Sequence, residues 1–196
     1  MIKLKYQALT TSLFLCSNLI FLIEAQARPT VGFENNSSYP ATQPTVTGGT
    51  TFNCIPQGNN YATVGQKAGR EPVPLIVWTP QGSSHFGEKY PPQTRCQIVT
   101  QKLNTAISAN GGTMKNLLLT NGMVNNQTVI CTLSQQETSC NLTNTLFTLK
   151  PENANRSGEV ISQLMQIGRY GSSAGFIQET SGQVYVDLGD WEKKVF

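Results

Sequence analysis

Along this chain of 196 residues the apolar positions fall into short ordered groups separated by Gly, Pro, Asn and Thr. Thr51 to Ile55 alternates, with Phe52 and Cys54 on one face, and Val73 to Trp78 is a continuous apolar run bounded by Pro72, Pro74 and Pro80. Both predict strands, the second with a proline where it begins. Pro91 and Pro92 stand where a helix would start; Cys96, Val99, Leu103, Ala106 and Ile107 then recur on one helical face until Gly111-Gly112 stops the pattern. This predicts an amphipathic helix with Cys96 on its buried stripe. Leu117 to Val124 and Gln127 to Leu133 flank Asn125-Asn126, a pair suited to the positive φ angles of a tight hairpin turn. Thr145 to Leu149 reads as a further strand, ended by Pro151. Val160, Ile161, Leu164, Met165 and Ile167 make a second helical stripe stopped at Gly168 or Gly171, and the alternating run Val184 to Leu188 closes the pattern. Strands joined by hairpins, with two helices among them, predict a single α+β domain with a mainly antiparallel sheet.

The first 27 residues follow a different logic. Lys3 and Lys5 form a positive n-region, Ala8 to Ile23 is a short apolar stretch broken by polar residues, and Ala25-Gln26-Ala27 supplies a small-x-small cleavage site. The stretch is too interrupted for a spanning helix, which needs about 20 mostly apolar residues. A secretory signal peptide over 1–27 is expected. A lipid anchor at Cys16 is disfavoured by the bulky Leu15 before it. From residue 28 to 49 the composition turns to Pro, Thr, Asn, Ser and Gly, which predicts a disordered polar arm. The disulfide-containing domain is expected over 50–190.

Composition narrows the class of partner. Only 13% of residues are charged, where an ordinary soluble domain has about 25%. The surface is instead solvated by 22 Thr, 14 Ser, 16 Asn and 16 Gln. Without clustered Lys and Arg there is little counterion release to gain, so a nucleic-acid partner is not expected.

Once the leader is removed, Cys54, Cys96, Cys131 and Cys140 remain, an even number in a chain bound for an oxidising compartment. There is one histidine, His85, and no Cys-x-x-Cys, so a metal centre is not expected. Four cysteines allow three connectivities. Geometry leans towards one of them. A hairpin centred between Gln135 and Gln136 would set Cys131 directly opposite Cys140, leaving Cys54 for Cys96. Loop closure would give the two bonds roughly 2.7 and roughly 4 kcal/mol respectively.

Candidate chemistry is sparse. Gly171-Ser172-Ser173-Ala174-Gly175 matches a nucleophile-elbow pattern, but a helix precedes it, a strand follows it and the histidine lies upstream, the reverse of the order that motif needs. His85 reads as an exposed loop residue, and Asp187, Asp190 and Glu192 as a solvated strand end rather than a cation loop. Trp78 is expected in the core, and Trp191, beside Glu192, Lys193 and Lys194, at the surface. Arg95 stands out. A cation in the first turn of a helix opposes the helix dipole, so it needs another reason to be there. Either it lies over the sheet and bonds loop carbonyls, or it anchors an anionic group of a partner. Arg95 and Trp191 are therefore the candidate partner contacts, with no catalytic residues, no metal ligands and no cofactor.

Phe52-x-Cys54, Pro72 to Trp78, Tyr90-Pro91-x-x-x-Arg95-Cys96-x-x-Val99, Thr120-x-Gly122-x-Val124-Asn125, Val129-Ile130-Cys131, and Cys140 followed by Leu146 to Leu149 form ordered blocks around the four cysteines. Together they resemble the circadian oscillating polypeptide family of cyanobacteria over about residues 50 to 150. Lys102 stands where that family pattern leads one to expect Arg. The resemblance implies an exported or peripherally membrane-associated protein of a photosynthetic bacterium and brings no catalytic residues with it. The expected function is binding, in the periplasm, at a membrane face or outside the cell, to an exported or membrane-associated partner. The rival readings are a hydrolase using His85, Ser172 or Ser173 and Asp187, and a redox protein cycling Cys131 and Cys140.

Overall fold

A computed structural model describes residues 48–167 and 183–196. In chain order the elements are β1 (Thr51–Gln57), β2 (Asn60–Gln66), β3 (Val73–Trp78), α1 (Pro80–Ser83), a short 3-10 turn (Ser84–Phe86), α2 (Pro92–Ala109), β4 (Leu118–Val124), β5 (Gln127–Leu133), β6 (Thr145–Thr148), α3 (Pro151–Ala154), α4 (Ser157–Ile167), β7 (Tyr185–Asp187) and α5 (Leu188–Val195). The fold is α+β. The strands form two antiparallel sheets rather than one, ordered β1-β2-β3 and β6-β5-β4-β7. Strand β2 is the strand that the hydrophobic pattern did not predict. Ala62, Thr63, Val64 and Gly65 are all buried, but they are mostly small or polar, so neither an alternation nor a continuous apolar run marks the strand.

The β4–β5 hairpin turns at Asn125 and Asn126, whose φ angles are 50° and 58°, as their side chains allow. Helix α2 starts with Pro92 at its first position and buries Cys96, Val99, Thr100, Leu103 and Ile107. Its stripe packs on the first sheet, and its Asn104 side chain takes the place of a neighbouring strand for β1. The Phe52 N–H donates to Asn104 Oδ1 and Asn104 Nδ2 donates to the Phe52 carbonyl, both at 2.8 Å. The outer edge of β1 is thereby closed. One apolar cluster joins the layers, including Phe52, Leu75 and Trp78 from the first sheet, Val99 and Leu103 from α2, Leu119 and Ile130 from the second sheet, and Ile161 and Met165 from α4.

The C-terminal segment departs from expectation. The final strand is three residues long and gives way at Leu188 to helix α5. Asp187 caps that helix, its carboxylate accepting from the Asp190 N–H at 3.0 Å, and Asp190 pairs with Lys193. The acidic residues are thus capping and pairing groups of a helix rather than a solvated strand end. Trp191 is 3% exposed, which corrects its expected surface position. Leu188, Trp191 and Val195 fall on one helical face, and the charged neighbours Glu192, Lys193 and Lys194 cover the rest.

Both disulfides join the partners that the geometry favoured, Cys54 with Cys96 and Cys131 with Cys140. The reason for the second differs. Cys131 faces Thr145 across the ladder, with a register irregularity beside it. Cys140 is not in a strand; it lies in the connection between β5 and β6 and folds over the sheet, so that a Cβ built on Gly122 would stand 2.7 Å from Cys140 Sγ.

Candidate functional site

Helix α2 carries two cations on the face turned towards β6, the edge strand of the four-stranded sheet. Arg95 Nη1 donates to the Gly82 carbonyl at 3.2 Å and Nη2 to the Thr148 carbonyl at 3.3 Å. Seven residues later, Lys102 Nζ donates to the Thr145 carbonyl. The two side chains close one edge of the sheet, a standard way of blunting an open strand.

Aromatic rings surround the first of these cations. The Arg95 guanidinium carbon lies 3.9 Å from the Phe86 ring centre, 4.8 Å from that of Trp78 and 6.0 Å from that of Phe147. Trp78 and Phe147 meet edge to face at 5.3 Å, and the Trp78 indole N–H donates to Thr63 Oγ1 at 3.0 Å. Trp78 is in the core, as its apolar run predicted. Arg95 therefore bonds backbone carbonyls, as in the first of the two roles open to it from sequence, though they belong to helix α1 and strand β6 rather than to a loop, and it does so against a cluster of rings that favours a cation.

Those contacts leave much of its capacity unused. A guanidinium has five N–H donors and an ammonium three, whereas among the described residues Arg95 gives two hydrogen bonds and Lys102 one. Both cations line a cleft of about 430 Å³ whose walls include Phe86, Tyr90, Ile98, Leu146 and Phe147. Among the described residues no Asp or Glu lines it, and the ion pairs are made by other cations, at Lys67, Lys150, Arg156 and Lys193. Burial lowers the pKa of Arg95 to about 10 and that of Lys102 in the same direction, since desolvation disfavours the charged form. Arg95 remains a cation at neutral pH. An arrangement of this kind is suited to holding an anionic group beside an apolar surface.

The other candidates fall away from this cleft. Trp191 packs at 6.2 Å from both Phe52 and Phe196, inside the fold and on a different helix from Arg95. His85 is exposed, in the 3-10 turn rather than in an irregular loop, and stands edge to face with Phe86. The Gly171 to Gly175 motif, with Ser172 and Ser173, lies outside the described residues, as do the leader and the polar arm up to Thr47. Cys131 is fully buried and disulfide-bonded, unlike the exposed low-pKa thiol that redox cycling needs. Among the described residues no group of His, Cys, Asp and Glu is placed to hold a metal ion, and no helix is long and apolar enough to cross a membrane. Lys102 is the residue that sequence reasoning noticed only as a substitution. Its signal was the seven-residue spacing from Arg95, which on a helix puts both cations on one face.

These features define a small α+β domain held by two disulfides, with a cationic, aromatic-walled cleft between a helix and a sheet edge. The family model for circadian oscillating protein COP23 matches residues 51–193, and the chain belongs to that family. No curated protein and no solved structure matches the chain.

Proposed function

We propose that this chain is an exported protein that acts by binding rather than by catalysis, contacting an exported or membrane-associated partner through the cleft beside Arg95. The observation that carries the reading is the pair of cations, Arg95 and Lys102, lining one cleft with no carboxylate among its described lining residues. Export is supported by the n-region, apolar stretch and Ala25-Gln26-Ala27, and by two disulfides of the kind an oxidising compartment preserves. In this reading residues 1–27 are removed, 28–49 form a polar arm, and 50–190 act as the binding domain. Its surroundings are the periplasm, a membrane face held peripherally, or the medium.

The test is affinity capture from membrane and periplasmic fractions across a light-dark cycle, with N-terminal sequencing of the protein recovered. The expected result is a mature chain beginning at Arg28 and a partner that is captured by the native protein and lost from Arg95→Ala. A cytoplasmic protein that retains Lys3 to Gln26 would overturn the export reading. A folded, exported Arg95→Ala protein that keeps its partners would overturn the role of the cleft.

A further inference from the structure

Among the described residues, three N–H donors of Arg95 and two of Lys102 have no protein acceptor. Their positions constrain what could use them. The residues are seven apart on α2, which at 1.5 Å per residue is about 10 Å along the helix axis. Each is held in place by a carbonyl of β6, Thr148 for Arg95 and Thr145 for Lys102. The lining they share includes apolar Ile98 of α2 and Phe147 of β6, both only partly buried. Phe86 and Tyr90 stand beside it, and Tyr90 is 47% exposed, a large ring left accessible next to a cation.

We propose that this cleft binds an elongated organic dianion, one carboxylate at Arg95, the other at Lys102, and an apolar body along Ile98 and Phe147. The inference rests on the reading that the protein acts by binding and adds the chemical class of ligand. Carboxylates follow from the geometry at Arg95. With the Phe86 ring 3.9 Å from the guanidinium carbon, a ligand must approach through the in-plane N–H edge, which a flat carboxylate matches. The second charge follows from Lys102, whose ammonium supplies a point charge without a preferred plane. The apolar body follows from Ile98 and Phe147, which are only partly buried and whose exposed parts would stay in water beneath a compact anion such as succinate.

Titration calorimetry of the purified, disulfide-bonded protein with sebacate, decanoate and 1,10-decanediol separates these contributions. Sebacate carries carboxylates at both ends of its chain, decanoate at one, and the diol none. Sebacate is expected to bind at least about tenfold more tightly than decanoate, the worth of one charge-assisted hydrogen-bonded contact, with the diol weakest. Lys102→Met should erase the preference for sebacate and leave decanoate binding in place. Arg95→Gln should weaken both acids, and a change in the Arg95 Nε–H resonance on adding decanoate to the native protein reads the same contact without a substitution. Equal affinity for sebacate and decanoate, a preference that survives Lys102→Met, or no heat with sebacate at millimolar concentration would each overturn the proposal. An exported protein that loses its partner on Arg95→Ala yet shows no sebacate preference removes the dianion alone. A cytoplasmic protein that shows the preference removes export alone.

Discussion

Arg95 donates to the carbonyl of Thr148, reaching from a helix on one sheet to the edge strand of the other. The same guanidinium bonds the Gly82 carbonyl just before the 3-10 turn, so one side chain joins three parts of the chain. That explains a cation in a first helical turn, where the dipole opposes it.

Arg95→Ala is expected to destabilise the protein by about 2 kcal/mol, through two lost hydrogen bonds from a charged group and the lost ring contacts. Arg95→Lys should recover part of this, because an ammonium reaches one carbonyl but lacks the fork. Urea unfolding checks it. The midpoint should fall in the order native, Lys, Ala with an unchanged slope.

The close approach of Gly122 and Cys140 gives a second expectation. No side chain fits at residue 122 without moving the disulfide loop, since its Cβ would lie 2.7 Å from Cys140 Sγ and 3.0 Å from Cys140 Cβ. Gly122→Ala should therefore cost about 1–3 kcal/mol, the range for overpacking. In a Cys131→Ala, Cys140→Ala background the sulfur is gone and the cost of Gly122→Ala should shrink. A double-mutant cycle in urea measures that coupling, and an undiminished cost would show that the strand, not the loop, rejects the methyl group.

The elements legible from sequence were those with one wet face or a clear stop signal. Val73 to Trp78 and Gln127 to Leu133 match strands β3 and β5 in full, and α2 runs from the proline pair almost to the glycine pair. Strand β2 was hidden because its buried residues Ala62, Thr63, Val64 and Gly65 are mostly small or polar and make no apolar run. Helix α5 was hidden because its apolar stripe is only Leu188, Trp191 and Val195, and the charges around it look like a solvated terminus. The cleft was half legible. Arg95 stood out by its conflict with the helix dipole, but Phe147 comes from a segment distant in sequence and meets Trp78 only in the fold, and Phe86 is brought over the guanidinium by the 3-10 turn.

The disulfides predict an order of loss. Reducing Cys54–Cys96, with a sequence separation of 42, should destabilise by about 4 kcal/mol, and reducing Cys131–Cys140, separation 9, by about 2.7 kcal/mol. Paired Cys→Ala variants compared by urea unfolding give the two values. Non-reducing peptide mapping of the native protein should return only these two links and no free thiol among the four.

The loop that carries Cys140 also makes stability depend on pH through Glu137. Burial alone would raise the pKa of this carboxyl, but the Ser134 N–H donates to it at 2.9 Å, Asn144 Nδ2 at 2.9 Å and the Ser134 hydroxyl at 3.0 Å. These bonds outweigh burial and hold Glu137 below its ordinary value of 4.5, because each favours the ionised form. A carboxyl whose pKa is lower folded than unfolded stabilises the fold fully above the unfolded value. That contribution is lost as the pH falls through the ordinary carboxylate range to the depressed folded value. Glu137→Gln should be less stable than the native protein at pH 7 by about 1 kcal/mol, having lost the charge that strengthens these bonds. The difference should narrow as the pH drops below 4.5, where Glu137 of the unfolded chain takes up its proton before the folded carboxyl does. Urea midpoints for both proteins between neutral pH and the acid limb decide it, and parallel curves over that range would show that the Glu137 bonds do not control the acid stability of the loop.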